Sequence, residues 1–194
     1  MEIFIISLIS YLIGSIPTAY LVGKSNNIDI RKYGSGNVGA TNVYRVLGSK
    51  WGTLTFIFDF LKGFIPTYIA MKFFQNPYLI ILCAGLAVLG HIFTLFLSFK
   101  GGKGVATATG AFMVITPYTL ISALIIFLIV TYLSGYVSLG TLSATLIFLI
   151  TSILSKINFE YKVLIFIISV SIFLTHIPNI KRLIKGQELK FNKR

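Results

Sequence analysis

Six apolar stretches, most of them about as long as a membrane-spanning helix, constrain this chain more than any other feature. A helix needs about 20 predominantly apolar residues to cross the hydrocarbon core of a bilayer. Candidate spans lie at residues 3–23, 52–74, 78–98, 118–133, 141–155 and 161–177, with a shorter apolar stretch at 105–116. Only 11% of the residues are charged, against about 25% in soluble domains. The sequence therefore predicts one all-α, polytopic membrane domain over residues 1–194.

The distribution of lysine and arginine predicts how often the chain crosses the membrane. Most of the basic residues lie in the 24–51 loop, the 99–104 loop and the tail from 178 to 194. Positive residues favour the cytoplasmic side, and all three segments reach that side only if 105–133 crosses twice. We therefore expect seven transmembrane helices, with the N-terminus outside and the C-terminus in the cytoplasm. The short 105–116 arm should tilt or line a cavity.

Several classes of protein do not fit this sequence. The basic residues occupy short loops, which leaves no soluble surface for a nucleic acid. Cys83 is the only cysteine and lies in an apolar stretch, so we expect a core residue with no internal disulfide and no set of metal ligands around it. A serine hydrolase needs an acid partner, and the cytoplasmic loops and tail offer only Asp29 and Glu188. The first stretch follows Glu2 and is too long for the core of a signal peptide, so we expect it to be retained.

The segment at 34–42 reads GSGNVGATN and has the G-x-G-x-x-G spacing of a dinucleotide-binding loop. Such a loop must follow a buried strand and open a helix, whereas this one follows DIRKY and precedes a membrane span. We therefore reject dinucleotide binding. Glycines let backbone N–H groups approach a ligand closely, and an arginine fork suits phosphate. We interpret the segment as an anion-binding loop formed by Ser35, Gly36, Asn37, Thr41, Asn42 and Arg45.

The segment at 98–110, SFKGGKGVATATG, is a second candidate for anion binding. It is not the phosphate loop of an ATPase, because Lys103 is followed by Gly104 where that motif needs serine or threonine. A glycine-rich turn with two lysines, leading into a helix that starts near Val105, nevertheless suits phosphate. The predicted binding residues are Lys100, Gly101, Gly102, Lys103 and Gly104.

Three polar side chains lie inside predicted spans. His91 is nine residues before Lys100, which on a continuous helix places it roughly 13 Å from that end. A membrane histidine is a functional candidate, and the alternative is a hydrogen bond to a neighbouring helix. Asp59 and Lys62 are three residues apart and share a helix face. We expect either a mutual pair or a contact with a neighbouring helix, with a structural more than a chemical role.

The tail carries a polar set that follows the last apolar stretch. These residues are His176, Asn179, Arg182 and Glu188. Taken alone, the set is typical of a solvated basic tail held at lipid headgroups.

Three segments together resemble one family. GSGNVGATNVYR, GHIFTLFLSFKGGKGVAT and NIKRLIKGQE are similar, in order, to the three motifs of the bacterial membrane acyltransferases that acylate glycerol 3-phosphate from acyl phosphate. DFLKG at 59–63 and YVSLGTLSA at 136–144 also resemble segments of that family. The resemblance covers almost the whole chain.

The resemblance implies an enzyme of phospholipid synthesis in the bacterial inner membrane, with its active site facing the cytoplasm and with no metal or organic cofactor. It implies functional roles for Ser35, Asn37 and Arg45 from the first motif, and for His91 and the Lys103 loop, associated with glycerol 3-phosphate, from the second. From the third motif it implies roles for Asn179 and His176, with Glu188 as a structural acid. The base that accepts the hydroxyl proton is either His91 or a phosphate oxygen of a substrate. The alternative to an enzyme is a small transporter of a phosphorylated metabolite.

Overall fold

The computed structural model describes residues 2–191, and every regular element within that range is a helix. Met1 and the basic tail residues Lys193 and Arg194 lie outside the described residues. The α-helices are α1 (Glu2–Ser15), α2 (Thr18–Ser25), α3 (Ala40–Leu47), α4 (Ser49–Ile69), α5 (Pro77–Ile92), α6 (Val105–Ile115), α7 (Pro117–Ser134), α8 (Val137–Leu154), α9 (Phe159–Thr175) and α10 (Ile177–Ile184). The chain divides into two compact units, residues 1–115 and 116–194.

The first predicted span is a broken helix rather than one continuous rod. α1 ends at Ser15, and α2 begins at Thr18 after a bend of 40°. Pro17 causes the break, because a proline inside a helix removes a backbone donor and clashes with the carbonyl four residues earlier. The backbone N–H of Thr18 instead donates to the carbonyl of Ile16 at 3.0 Å. The bend brings α2 against α4, which places α2 beside the first glycine-rich loop.

The 24–51 segment, predicted as a loop, contains the short helix α3. Ala40 to Leu47 are helical, and Gly48 at φ 88° separates α3 from α4. Val43 and Asn42 are buried on the inner face of α3. The prediction failed here because α3 is only eight residues long and mixes polar with apolar side chains, so no apolar stretch marks it. A turn of 3-10 helix at Ile30–Lys32 precedes the glycine-rich loop.

Glycines allow two helix pairs of the first unit to cross at very short distance. A methyl group added at Gly14 on α1 would overlap the carbonyl of Ala87 on α5. α4 and α6 approach each other equally closely, since a methyl group at Gly63 would overlap the carbonyl of Thr107. Membrane helices associate through such close packing of small residues, because the lipid supplies no hydrophobic driving force between them.

α5 ends at Ile92, six residues before the end of the predicted span. The expectation that His91 lies well inside a continuous helix is therefore wrong, because His91 is the second-last residue of α5. After Ile92 the chain makes a 3-10 turn and reverses, with Ser98 and Phe99 in the left-handed region at φ 52° and 62°. The N–H groups of Gly101 and Gly102 then donate to the carbonyls of Ile92 and His91 at 2.9 and 3.0 Å.

The second unit consists of α7 to α10. α7 packs against α8, α8 against α9, and α10 contacts both α8 and α9. α7 exposes most of its apolar surface, and Tyr118 and Tyr132, near its two ends, are each 88% exposed. Tyrosines are enriched where a membrane helix meets the two lipid–water interfaces. The junction of α9 and α10 is bent by 53°.

Four segments are long and apolar enough to cross a membrane: Ser49–Phe74, Pro77–Leu97, Pro117–Ser134 and Val137–Leu154. The first two include the short turns that follow α4 and α5. Each of the two bent pairs, α1 with α2 and α9 with α10, adds one more candidate. α6 has 11 residues, about 16 Å of helix against the roughly 30 Å of a hydrocarbon core. It begins at Val105, where the sequence predicts a helix start. The predicted all-α, multi-pass architecture is confirmed, whereas the number of seven crossings and the orientation stay predictions.

Candidate active site

The first glycine-rich loop is shaped by two glycines with positive φ. Gly34 and Gly36 have φ of 60° and 72°, a conformation that costs little only for glycine. The loop follows a 3-10 turn rather than a strand, so it lacks the strand of a dinucleotide-binding unit. It ends at Gly39, the residue before α3. Backbone N–H groups at such a turn and at a helix start suit an anion.

Asn42 supports this loop from inside the protein. Its Oδ1 accepts from the Ser35 N–H at 2.8 Å, and its Nδ2 donates to the carbonyls of Ile30 and Tyr33 at 3.2 and 3.1 Å. The residue is 1% exposed. These bonds hold the backbone of the loop, and the role of Asn42 in phosphate binding stays a prediction.

The start of the loop region is fixed by a surface ion pair. Arg31 donates to both carboxylate oxygens of Asp29, at 2.9 and 2.7 Å. The hydrogen bond from the Arg31 side chain lowers the pKa of Asp29 to about 2. Asp29 also accepts from the Arg31 N–H at 3.1 Å, which caps the 3-10 turn. Asp29 is therefore occupied in local structure and is not placed as a catalytic acid.

The half-buried face of α3 carries the other predicted residues of the first motif. Thr41 and Arg45 are four residues apart on α3, one turn above the other. Ser35 and Asn37 lie in the loop that leads into this helix, and both are half-buried. The loop and the helix thus place hydroxyl, amide and guanidinium groups in one region of the first unit.

The second glycine-rich loop touches the first one. A methyl group added at Gly102 would lie 2.9 Å from the carbonyl oxygen of Val38 and would overlap the imidazole Nε2 of His91. Gly104 has φ of 81° and directs the chain into α6. Lys100 is exposed, and Lys103 is half-buried next to the start of α6. The two predicted anion-binding loops therefore meet at Gly102 and Val38, and the sequence did not identify that contact.

Three buried ionisable side chains lie behind the contact of the two loops. Lys62 Nζ donates to Asp59 Oδ1 at 2.5 Å, and His91 Nδ1 lies 3.7 Å from the same oxygen. The predicted pair of Asp59 and Lys62 is thus present, and it includes His91 as a third member. A cavity lined by these side chains has a volume of about 10 Å³, room for about one water molecule.

An apolar groove of about 540 Å³ runs along α4 on the side that faces α1 and α2. Lys62 and Thr18 supply polar groups to its wall, and both also line the small cavity described above. The volume is within the range of ligand-binding pockets, about 300–1,000 Å³. Its lining includes Ile13, Ile16, Leu21, Trp51, Leu54, Phe58, Leu61 and Ile65.

In the second unit, one carboxylate organises the polar residues of the tail. Glu188 accepts hydrogen bonds from Asn179 at 2.6 Å, Arg182 at 2.7 Å and Ser138 at 2.9 Å. Burial alone would raise the pKa of Glu188, but these hydrogen bonds, that of Arg182 foremost, lower it below its usual value. The sequence did not single out Ser138. Its only signal is its place in the YVSLGTLSA segment, at the second residue of α8.

His176 lies at the bend between α9 and α10. It is 3% exposed, and its Nδ1 lies 2.8 Å from the carbonyl oxygen of Ile172. Because a carbonyl only accepts, Nδ1 carries the proton of that hydrogen bond. Pro178 occupies the first turn of α10, where a proline does not disturb the helix. No group of three or more His, Cys, Asp or Glu side chains within residues 2–191 is placed to hold a metal ion.

These features define a class: an all-helical membrane protein whose first unit joins two glycine-rich basic loops to an apolar groove. The family described as glycerol-3-phosphate acyltransferase matches residues 4–186. The chain belongs to the glycerol-3-phosphate acyltransferase family and is an acyltransferase.

Relatives in sequence and in structure agree with this assignment. The chain is 46% identical to glycerol-3-phosphate acyltransferase 2 of Bacillus anthracis over 94% of this chain and 96% of that protein. It is 42% identical to glycerol-3-phosphate acyltransferase of Fusobacterium nucleatum subsp. nucleatum over 98% and 99% of the two chains. The crystal structure of PlsY (YgiH), an integral membrane glycerol 3-phosphate acyltransferase in its glycerol 3-phosphate form, is 37% identical. Its TM-score is 0.95, over 99% of this chain and 96% of that one.

Proposed function

We propose that this chain transfers an acyl group from acyl phosphate to the 1-hydroxyl of sn-glycerol 3-phosphate. The products are 1-acyl-sn-glycerol 3-phosphate and phosphate, an early step of phospholipid synthesis. The observation that carries the proposal is the contact of the two glycine-rich loops at Gly102 and Val38. Both substrates carry a phosphate group, and two adjoining anion sites would hold the two phosphates close to each other.

The reaction needs no covalent enzyme intermediate, because acyl phosphate is already activated. The 1-hydroxyl oxygen attacks the acyl carbon, the bond from that carbon to the phosphate oxygen breaks, and phosphate leaves with the electron pair. Arg45 and Lys103 would neutralise phosphate charge, and backbone N–H groups of the loops would stabilise charge that develops on the acyl oxygen. Holding two reactants in the correct geometry supplies much of the remaining rate enhancement.

A phosphate oxygen of a substrate is the favoured acceptor for the hydroxyl proton. His91 was the other candidate, but its Nδ1 faces Asp59 and its Nε2 faces Gly102. Both ring nitrogens are thus directed at protein groups, and the adjoining cavity has room for about one water molecule. The proton is therefore expected to leave with the phosphate product.

The groove along α4 is the proposed site of the acyl chain. It is lined almost entirely by apolar side chains, and Lys62 and Thr18 connect its wall to the polar interior of the first unit. Transfer of each methylene group of an acyl chain from water into such a groove contributes about 0.8 kcal/mol. A bulky side chain in place of Leu54, such as L54W, is expected to lower activity with long acyl chains more than with short ones. Apparent KM values measured over a series of chain lengths test this assignment.

The polar residues of the second unit are proposed to serve the same reaction. Asn179 and His176 are assigned to the functional set, and Arg182 to phosphate binding. Glu188 acts as the structural acid, since it accepts from Asn179 and Arg182.

The proposed membrane arrangement has seven crossings, with the N-terminus outside and the active site facing the cytoplasm of a bacterial cell. The observation in its favour is that the basic loops and the basic tail then share one side. Reporter fusions before Met1 and after Arg194 test the orientation. Both reporters on the same side of the inner membrane would overturn it.

The deciding experiment for function compares donors with the purified protein in detergent or in liposomes. We expect release of phosphate and of acylated product from acyl phosphate and glycerol 3-phosphate without added metal. Acyl-CoA and acyl carrier protein are expected to give little or no product, because the short loops leave no segment for an adenine group or a carrier domain. Efficient turnover with acyl-CoA at matched concentration would overturn the donor assignment, while acyl transfer to glycerol 3-phosphate would stand.

A further inference from the structure

A buried ionic cluster in the first unit has no part in the proposed chemistry. Asp59, Lys62 and His91 are 2%, 5% and 7% exposed. The same carboxylate oxygen, Asp59 Oδ1, accepts from Lys62 and faces His91 Nδ1. Placing charges at such depth costs several kcal/mol per ion before the pair is formed. Ionisable groups inside a membrane domain are therefore candidates for a functional role.

The cluster reaches the site through the ring of His91. One ring nitrogen faces Asp59, and the other lies so close to Gly102 that a methyl group there would overlap it. Gly102 is also tied to His91 by its backbone, since its N–H donates to the His91 carbonyl at 3.0 Å. The Val38 carbonyl packs against Gly102 on the same side as the ring. The ring therefore lies directly behind the point at which the two glycine-rich loops meet.

The small space around His91 favours a positioning role for this residue over a chemical one. The cavity at the cluster has a volume of about 10 Å³ and therefore has room for about one water molecule. The hydroxyls of Thr94 and Ser15 lie in the same wall, and Thr94 donates to the Ser15 carbonyl. The ring packs directly against Gly102, so His91 can act on the reaction through the position of that residue.

We propose that Asp59 and Lys62 fix the imidazole of His91, and that His91 is a positioning residue that sets where Gly102 and the second glycine-rich loop lie against the first. This inference rests on the proposed acyl transfer to glycerol 3-phosphate. The distance between the two phosphate sites depends on this contact. A displacement of the loop by about 1 Å is enough to change catalysis by up to two orders of magnitude.

Two substitutions at His91 distinguish the two nitrogen atoms of its ring. The shorter side chain of H91N can face Asp59 but cannot reach Gly102, whereas the longer side chain of H91Q reaches the position of Nε2. C83A, also on α5 and fully buried, is the matched control for loss of a core side chain. Initial rates are measured against glycerol 3-phosphate concentration between about pH 5 and pH 9 for all four proteins.

We expect H91N to raise the KM for glycerol 3-phosphate about tenfold with a smaller change in kcat, because a misplaced loop mainly weakens binding. H91Q should have a KM for glycerol 3-phosphate close to that of the wild type, and C83A should behave like the wild type. The pH profile of the rate should keep its shape in each variant. Equal large losses of kcat in H91N and H91Q, with loss of the acidic limb of the profile, would make His91 the general base and overturn the proposal.

Hydrogen–deuterium exchange provides a test that does not depend on activity. Amide exchange in the 99–104 segment of the full-length protein should be faster in H91N than in the wild type, and near the wild-type rate in H91Q and C83A. Unchanged exchange in H91N would overturn the positioning role even if the enzyme is active. If the wild-type protein showed no acyl transfer to glycerol 3-phosphate and exchange were still faster in H91N, the positioning role would stand and the proposed function would be rejected.

Discussion

Replacing Asn42 by aspartate should damage this protein more than replacing it by alanine, although aspartate is nearly the same size. The side chain makes three hydrogen bonds, one accepted from Ser35 and two donated to the carbonyls of Ile30 and Tyr33. At about 1 kcal/mol each, N42A should cost about 3 kcal/mol. For a domain of this length such a loss lowers the melting temperature by about 6–12 °C.

N42D keeps the bond from Ser35 but replaces a donor by a carboxylate oxygen next to two carbonyl oxygens. At 1% exposure this carboxylate either stays charged beside the two carbonyl oxygens or takes up a proton, and both alternatives cost free energy. We therefore expect a loss of about 4 kcal/mol at neutral pH, larger than that of N42A. Acidification should recover part of it, because the protonated acid can donate one hydrogen bond to a carbonyl.

Thermal unfolding in detergent, followed at pH 7 and at pH 5, measures both effects. N27D is the matched control, because Asn27 is exposed in the same segment and aspartate, like asparagine, tolerates its left-handed backbone at φ 58°. The change is expected to stay within about 0.5 kcal/mol. A melting temperature of N42D equal to that of the wild type at pH 7 would refute the supporting role of Asn42. If N42D were more stable than N42A at pH 7, the cost of the buried carboxylate would be overstated.

Three further substitutions test other parts of the structure. Arg45→Ala should abolish most acyl transfer, and Arg45→Lys should restore it only in part, because an ammonium cannot form the two parallel bonds of a guanidinium; full activity of the alanine variant would remove Arg45 from the site. The pKa of Glu188 is lower in the folded than in the unfolded state. Its carboxylate therefore stabilises the fold at pH values above the unfolded-state pKa, and this stabilisation is lost as the pH falls through the folded-state pKa. E188Q should therefore lower the melting temperature at pH 7, and its melting temperature should decrease less on acidification than that of the wild type. The same decrease in both proteins would contradict this. Gly63→Ala should cost about 1–3 kcal/mol in thermal unfolding, because the methyl group would overlap the Thr107 carbonyl; a neutral result would mean that α4 and α6 can separate freely.

The sequence could predict those features that depend on local spacing. Apolar length identified the long helices, and the start of α6 at Val105 followed from the glycine-rich turn before it. The pairing of Asp59 with Lys62 follows from a separation of three residues and the cost of an isolated charge in a bilayer. Each of these inferences needs only a few neighbouring residues and one physical rule.

Features that depend on tertiary contacts could not be predicted in this way. The residues after His91, IFTLFLSF, are as apolar as the helix before them, so hydropathy cannot reveal that α5 ends at Ile92. The chain reverses there because Gly101 and Gly102 donate to carbonyls at the end of α5. The role of Ser138 likewise depends on Glu188, which is 50 residues further along the chain.

Glycines next to the buried ionic cluster explain how three charged or titratable side chains meet inside this unit. Gly63 follows Lys62 on α4, and Gly90 precedes His91 on α5. A methyl group at Gly90 would overlap the Tyr11 carbonyl on α1, as one at Gly63 would overlap a carbonyl on α6. The glycines thus permit close helix crossings at the level of the cluster itself, where the packing leaves a cavity with room for about one water molecule. Because Asp59, Lys62 and His91 are held at such crossings, their geometry follows the helix packing, and the packing fixes where the second glycine-rich loop begins.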